Sequence, residues 1–257
     1  MGISEQLLRT LDTIVGEAMK DDAAVAFSGG LDSGIIAALA GRYGKTMLWT
    51  VGSAESYDVE ASREMAENMG LPWKHIELRT EEIEEELREM MKLTGTVNPI
   101  TLSFEIPLFY VLKYSPQKVI MSGQGADELF AGYSKYEGLG DKELNDRMKN
   151  DLMNLMNVTL KHEQKVADHF GKKLIYPYLD ERILNIVETM DIRDLAPKDL
   201  RKEVLREVAV LMDHPEIAAK PKKAAQYGSG TMDALRKVAK KNGTTVSGLI
   251  SKIAEEL

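Results

Sequence analysis

The 257-residue sequence contains no cysteine, and this absence excludes several kinds of chemistry. Without a thiol there is no disulfide framework, no cysteine nucleophile, no persulfide carrier and no cysteine-bound iron–sulfur cluster. No apolar run approaches the roughly 18 residues that a membrane span requires, so we expect no membrane segment. The first residues, Met1 to Glu5, lack the basic and then apolar pattern of a signal peptide. We therefore expect a cytoplasmic protein.

Positive charge is also scarce. The 33 Lys and Arg residues stand against 41 Asp and Glu residues, which gives a formal net charge of -8. This balance argues against a nucleic-acid partner, although basic residues outnumber acidic ones from Pro197 to Lys241. Apolar residues make up 44% of the chain, which is enough for a folded core and excludes disorder as the main state.

Short apolar runs separated by helical periodicity predict an α/β fold. Because strands that are separated by helices pair in parallel, we expect a parallel sheet of about five strands flanked by helices. After about Gly140 the pattern becomes mostly helical. We interpret the chain as one domain, 1–257, with an α/β core at about 1–135 and a helical C-terminal region at about 140–257. The predicted strands lie at 23–27, 47–51, 75–78, 118–121 and 173–176.

The last helical pattern, with Val246, Leu249, Ile250 and Ile253 in register, carries an apolar face. This face packs either on the core or on a second subunit of a homodimer. The sequence leaves both arrangements open.

Glycines and serines follow three of the predicted strands, as Ser28-Gly29-Gly30, Val51-Gly52 and Ser122-Gly123. Ligands of open α/β sheets bind at the carboxyl ends of the strands, so these three segments are candidates for one site. Their glycines allow backbone N–H groups to approach an anion closely. At the first segment, a helix N-terminus adds a partial positive charge.

The first segment continues as Leu31-Asp32-Ser33, and its side chains suit a polyphosphate. The hydroxyls of Ser28 and Ser33 can donate to phosphate oxygens, whereas Asp32 beside a polyphosphate requires a cation between them, for which Mg²⁺ is the natural choice. The pattern GxxxxGK[ST] is absent, so this is not a Walker loop. A glycine-rich turn before a helix also occurs without any ligand, and this segment alone leaves that interpretation open.

Four blocks in order resemble the synthetase domain of the asparagine synthetases, which belong to the PP-loop N-type ATP pyrophosphatases. SGGLDS at 28–33 is similar to their pyrophosphatase loop, and SGQGADELFAGY at 122–133 resembles their SGEGADELFGGY. YPYLDE at 176–181 resembles VPFLDE. The basic stretch KPKKA at 220–224, followed by QYGSG at 226–230, resembles their basic C-terminal segment.

The resemblance implies that the protein activates a carboxylate as an acyl-adenylate with release of pyrophosphate, after which an amine displaces AMP. It makes ATP and Mg²⁺ the expected cofactors and a small carboxylate and ammonia or another amine the expected substrates. It places Asp32 and Asp127 on Mg²⁺, and it assigns Lys222 to neutralise charge on the reacting phosphate. It further places the pyrophosphate end of ATP on Ser28, Gly29, Gly30, Asp32 and Ser33, and the adenosine on Val51, Ser122 and Gly123.

The sequence departs from the family in three ways. Full-length asparagine synthetases begin with a glutamine-hydrolysing domain whose nucleophile is an N-terminal cysteine. We expect this cysteine-free chain to use free ammonia, another amine, or ammonia from a separate amidotransferase subunit. The acidic residue of SGEGADE is Gln124 here, and a glutamine cannot act as a carboxylate base, although it can orient a substrate. The family pattern E-x-R-x-P reads Lys173 to Pro177 here, without its two charged residues.

These observations predict an ATP-dependent, AMP-forming carbon–nitrogen ligase that is not a plain glutamine-dependent asparagine synthetase. Asp127, Gln124 and Lys222 are its candidate catalytic residues. Two alternatives stay open: a PP-loop enzyme that adenylates RNA, and an ATP-binding regulatory subunit without catalysis.

Overall fold

The computed structural model describes residues 2–195, 201–220 and 228–257. Its sheet consists of β1 (Ala24–Ala26), β2 (Leu48–Gly52), β3 (Trp73–Glu77), β4 (Val119–Met121) and β5 (Lys173–Ile175). The strand order is β3-β2-β1-β4-β5, and every neighbouring pair is parallel. All five predicted strands are therefore present, and the predicted parallel α/β class is confirmed.

Helices connect the strands and make up most of the described second half of the chain, as the sequence predicts. In the first half they are α1 (Ile3–Met19), α2 (Leu31–Gly41), α3 (Tyr57–Met69), α4 (Ile83–Thr94) and α5 (Pro99–Tyr114). In the second half they are α6 (Ala126–Leu129), α7 (Asp141–Asn154), α8 (Leu160–His169), α9 (Glu181–Glu188), α10 (Ile192–Leu195), α11 (Glu203–Leu211), α12 (Pro215–Ala218), α13 (Thr231–Lys241) and α14 (Val246–Glu255). A π-helical turn, Leu155–Thr159, joins α7 to α8.

The sheet separates two hydrophobic cores because successive residues of a strand face opposite sides. Val25 of β1 lies in the core formed with α1, α2 and α11, whereas its neighbour Ala24 lies in the core formed with α4, α5, α13 and α14. The last helix, α14, buries Leu249, Ile250 and Ile253 in the second core. The apolar face of the final helix therefore packs on the core.

The order of the strands determines where a crevice forms. From β1 the chain continues through α2 to β2 on one side, whereas β4 pairs with β1 on the other side. The strand order therefore reverses between β1 and β4, and ligands of such sheets bind at the carboxyl ends of the strands at this point. In the part of the chain that the structure describes, no helix combines the length and apolar character that crossing a bilayer requires.

Candidate active site

A cavity of about 620 Å³ lies at the carboxyl ends of β1, β2 and β4. Its size is within the range of small-molecule sites. The cavity is lined by every predicted site residue that the structure describes: Ser28, Gly29, Gly30, Asp32, Ser33, Val51, Ser122, Gly123, Gln124 and Asp127. Lys222, the remaining predicted residue, lies outside the described residues. The fold thus brings together three chain segments that the sequence proposed separately.

The turn after β1 is held in an anion-binding shape by its own hydrogen bonds. The Ser28 N–H donates to Ser33 Oγ at 3.2 Å, and the Gly30 N–H donates to Ser28 Oγ at 3.4 Å. Gly29 has φ +69, and a Cβ there would lie 2.6 Å from the backbone nitrogen of Ser62. Only glycine meets both demands without strain. The turn leads directly into α2, so the partial positive charge of that helix N-terminus faces the cavity.

The loop after β4 approaches the start of α2 closely. A Cβ on Gly123 would lie 3.2 Å from Asp32 Cβ, so a larger residue would separate the two loops. Tyr178 holds the start of α2 in place, because its hydroxyl donates to the Asp32 carbonyl at 3.0 Å. Tyr178 is fully buried, and burial raises the pKa of its hydroxyl well above the ordinary value, so the hydroxyl stays a donor. The segment 176–181 thus supports the start of α2, directly after the glycine-rich turn.

A cluster of two carboxylates and one ammonium lies beside the turn. Lys202 Nζ is 2.7 and 2.6 Å from the two Asp32 oxygens and 2.6 Å from Asp127 Oδ1. Burial alone lowers the pKa of Lys202, but the neighbouring Asp127 and Asp32 outweigh it and raise that pKa overall. Sequence reasoning missed Lys202, since nothing local distinguishes it from the other basic residues around it.

The same two carboxylates fit the chemistry of a magnesium site. Mg²⁺ prefers oxygen ligands and is usually bound by one or two carboxylates together with substrate phosphates and water. Asp32 and Asp127 direct their oxygens to one point beside the turn after β1. Among the described residues there is no group of three or more His, Asp or Glu side chains that could hold a metal.

Gln124 lies between the cavity and a buried carboxyl group. Its Nε2 donates to Glu163 Oε1 at 2.8 Å, and the Tyr176 hydroxyl donates to Glu163 Oε2 at 2.7 Å. Glu163 is 3% exposed, and burial raises its pKa from the ordinary 4.5 to about 7. When Glu163 is ionised it can only accept, so the Gln124 amide nitrogen then faces Glu163 and the amide carbonyl oxygen is turned away. Sequence reasoning did not single out Glu163, which is 39 residues from its partner.

Two residues of the segments that were compared with the family do not line the cavity. Lys173, at the position of the family glutamate, has a 64% exposed side chain and lies 3.7 Å from the Asp21 carboxylate. Asp180 caps α9, because its carboxylate accepts from the Arg182 N–H at 3.0 Å.

An apolar wall completes the cavity. Trp49 and Val51 of β2 contribute to it, and Leu108 and Val111 of α5 face them. Trp49 is held by a hydrogen bond from its Nε1 to Gln117 Oε1 at 2.9 Å. The cavity thus combines an apolar part with a part that carries the glycine-rich turn and charged side chains. Such a division suits a nucleotide, whose base is flat and apolar on its faces and whose phosphates are anionic.

Comparison with known proteins decides the family. The family model described as asparagine synthase matches residues 6–140 and 135–247. The chain belongs to the asparagine synthase family. A Methanocaldococcus jannaschii protein that carries the name of a glutamine-hydrolysing asparagine synthetase is 31% identical over 262 residues, covering 87% of this chain and 48% of that protein. Asparagine synthetase B of Escherichia coli is 25% identical over 252 residues, covering 89% of this chain and 46% of that protein.

The chain spans about half the length of these asparagine synthase relatives. The two matched segments of the family model include the turn after β1, the loop after β4 and α11, so they contain all described members of the site. Among solved structures, an NMN synthetase from Francisella tularensis is similar with a TM-score of 0.49 and 14% sequence identity, covering 98% of this chain and 91% of that one.

Proposed function

We propose that the protein is an ATP-dependent, AMP-forming carbon–nitrogen ligase that adenylates a small carboxylate and transfers ammonia or another amine to it. The observation that carries this proposal is the convergence of Asp32, at the start of α2, and Asp127, in α6, beside the Ser28–Ser33 turn in one cavity. Membership of the asparagine synthase family supports it.

In the first half-reaction, a carboxylate oxygen of the substrate attacks the α-phosphorus of ATP. The bond to the bridging oxygen of the β-phosphate breaks, and pyrophosphate leaves. Ser28, Gly29, Gly30 and Ser33 would hold the pyrophosphate end through hydroxyl and backbone N–H groups. Asp32 and Asp127 would hold Mg²⁺, which supplies charge neutralisation when bound. The remaining negative charge is the proposed role of Lys222.

In the second half-reaction, the lone pair of the amine nitrogen attacks the acyl carbon. The bond to the AMP oxygen breaks, AMP leaves, and the nitrogen gives up a proton. Gln124 lines the cavity and would lie next to the reacting end, and the ionised Glu163 directs the Gln124 amide by accepting from its Nε2. With its carbonyl oxygen turned from Glu163, Gln124 is suited to accept a hydrogen bond from an incoming amine, although it cannot remove its proton.

The adenosine of ATP would occupy the apolar half of the cavity. Val51 is buried near the end of β2, and Ser122 and Gly123 follow β4, which lies on the other side of β1. Ammonia would come from solution, from another amine or from a separate amidotransferase subunit. We also place the protein in the cytoplasm.

The proposal is tested by carboxylate-dependent exchange of labelled pyrophosphate into ATP, which measures the first half-reaction alone. The Asp127→Asn variant is compared with Asp146→Asn, which changes an exposed aspartate on α7. We expect Asp127→Asn to lower the exchange rate by about a hundredfold or more, because one ligand of the charge-neutralising cation is lost, and Asp146→Asn to leave it unchanged. Circular dichroism checks that both variants fold. Full exchange by Asp127→Asn would contradict the assignment.

A further inference from the structure

The position where the two carboxylates meet is taken by a lysine of the protein itself. Lys202 Nζ lies within 2.7 Å of both Asp32 oxygens and 2.6 Å from Asp127 Oδ1. The lysine side chain is 4% exposed, whereas each aspartate side chain is 18% exposed. One ammonium group therefore bridges both carboxylates and offsets one of their two negative charges, while both aspartates stay partly exposed.

An ammonium and a divalent cation cannot both occupy the point where these oxygens converge. Mg²⁺ binds its oxygen ligands at about 2.0–2.1 Å. A cation between Asp32 and Asp127 would thus sit at the place that Lys202 Nζ now occupies, and two positive charges at such a distance repel strongly. Binding of the metal between these carboxylates requires the ammonium to move away.

Two features of the structure accommodate Lys202 in this position. Lys202 has φ 58 and ψ 37, the left-handed conformation that a residue with a side chain rarely adopts, directly before α11. Gly132 leaves the space that the lysine fills, because a Cβ there would lie 2.1 Å from Lys202 Cε and 1.9 Å from Asp127 Oδ1. The left-handed backbone at Lys202 and the absence of a side chain at Gly132 thus accommodate the lysine side chain beside the two aspartates.

We propose that Lys202 acts as a placeholder for the divalent cation: in the nucleotide-free protein it occupies the Asp32–Asp127 site and excludes the metal, which enters only together with the nucleotide. This inference rests on the proposed function for the identity of the nucleotide, but not for the exclusion of the metal. The polyphosphate supplies the negative charge that draws the ammonium away from the aspartates. Metal and nucleotide binding are then coupled, each strengthening the other.

Binding of Mn²⁺ to the nucleotide-free protein tests the proposal, with free Mn²⁺ followed by its electron paramagnetic resonance signal. We expect the wild type to bind Mn²⁺ weakly and Lys202→Met to bind one ion about tenfold or more tightly. Lys202→Arg keeps the charge and is expected to stay weak. Lys113→Met is the matched control, because Lys113 also bridges two carboxylates, Glu86 and Glu89, at 2.8 and 2.6 Å, away from the cavity.

The proposal is overturned if Lys202→Met gains no affinity, if Lys202→Arg gains as much as Lys202→Met, or if Lys113→Met gains equally. A second measurement needs no lysine variant and therefore does not depend on the folding of Lys202→Met. Tight binding of one Mn²⁺ by the nucleotide-free wild type, lost in Asp127→Asn, would also overturn it, and weak binding by both would support it. Neither measurement requires catalysis. If the exchange assay detects no activity, Mn²⁺ binding still tests the role of Lys202.

Discussion

The buried Glu163 makes a quantitative prediction about stability and pH. Its pKa in the folded protein is about 7, against an ordinary value of 4.5, because burial disfavours the charged form. Between these two values the folded state binds more protons than the unfolded state, so stability falls as the pH rises. A shift from 4.5 to about 7 corresponds to about 3 kcal/mol, which is lost between about pH 4.5 and pH 8.

Glu163→Gln removes this dependence. A glutamine resembles the protonated acid, and reorientation of the Gln124 amide lets both side chains and Tyr176 keep their hydrogen bonds. We therefore expect the variant to match the wild type near pH 4.5 and to be about 3 kcal/mol more stable at pH 8. Urea unfolding at half-unit pH steps measures the difference.

Glu67→Gln, an exposed substitution on α3, serves as the control and is expected to follow the wild type at every pH. Glu105 is coupled to the same site, because burial and then the charge of Glu163 raise its pKa to about 9. Below pH 8 Glu105 stays mostly protonated, so the loss of stability between pH 4.5 and pH 8 is assigned to Glu163. If the stability difference between Glu163→Gln and the wild type stays constant from pH 4.5 to pH 8, the pKa of Glu163 is not raised by folding. A variant that loses stability as the pH rises would also contradict the assignment to Glu163.

Three further predictions concern the site. Gly132→Ala is expected to displace Asp127, whose Oδ1 would lie 1.9 Å from the new Cβ, and to lower pyrophosphate exchange by about a hundredfold; a rate near that of the wild type would count against the described packing. Tyr178→Phe leaves the Asp32 carbonyl without its donor, and we expect a loss of about 1–3 kcal/mol in urea unfolding. Tyr43→Phe, which removes a similar bond from an exposed ring, should cost less. Treatment with EDTA is expected to stop the exchange and added Mg²⁺ to restore it; persistent exchange without metal would oppose a magnesium site.

The sheet and the glycine-rich turn could be predicted because their signals are local. Five short apolar runs gave five strands, and Ser28-Gly29-Gly30 at the end of β1 marked the turn, whose Gly29 has the positive φ that glycine favours. The rule that sites lie at the carboxyl ends of parallel strands then placed Val51 and Gly123 correctly at the same cavity.

The charged partners inside the site could not be predicted, because their importance depends on distant parts of the chain. Lys202 is 170 residues from Asp32, and only the folded chain shows that it, rather than its basic neighbours, reaches the carboxylates. Glu163 lies on an otherwise polar helix, where a glutamate normally faces solvent. Its burial follows from the packing of α8 against β5 and α5, which no local pattern encodes.

Glu128 illustrates the same limit. A glutamate near the start of a helix commonly interacts with the helix dipole at the surface. The helix, α6, is only four residues long, and Glu128 is 6% exposed and accepts from the Tyr133 hydroxyl at 2.6 Å. Burial raises the pKa of Glu128. Its environment is therefore decided by tertiary packing, and it lines the cavity beside Asp127.

The most direct test of the proposed function is to identify the products that the purified protein forms from Mg-ATP, ammonium and each of a panel of small carboxylates that includes aspartate. Phosphorus NMR distinguishes the products. We expect AMP and pyrophosphate in equal amounts, dependent on one carboxylate, with one new amide formed for each AMP. Formation of ADP and inorganic phosphate would contradict the proposed adenylation.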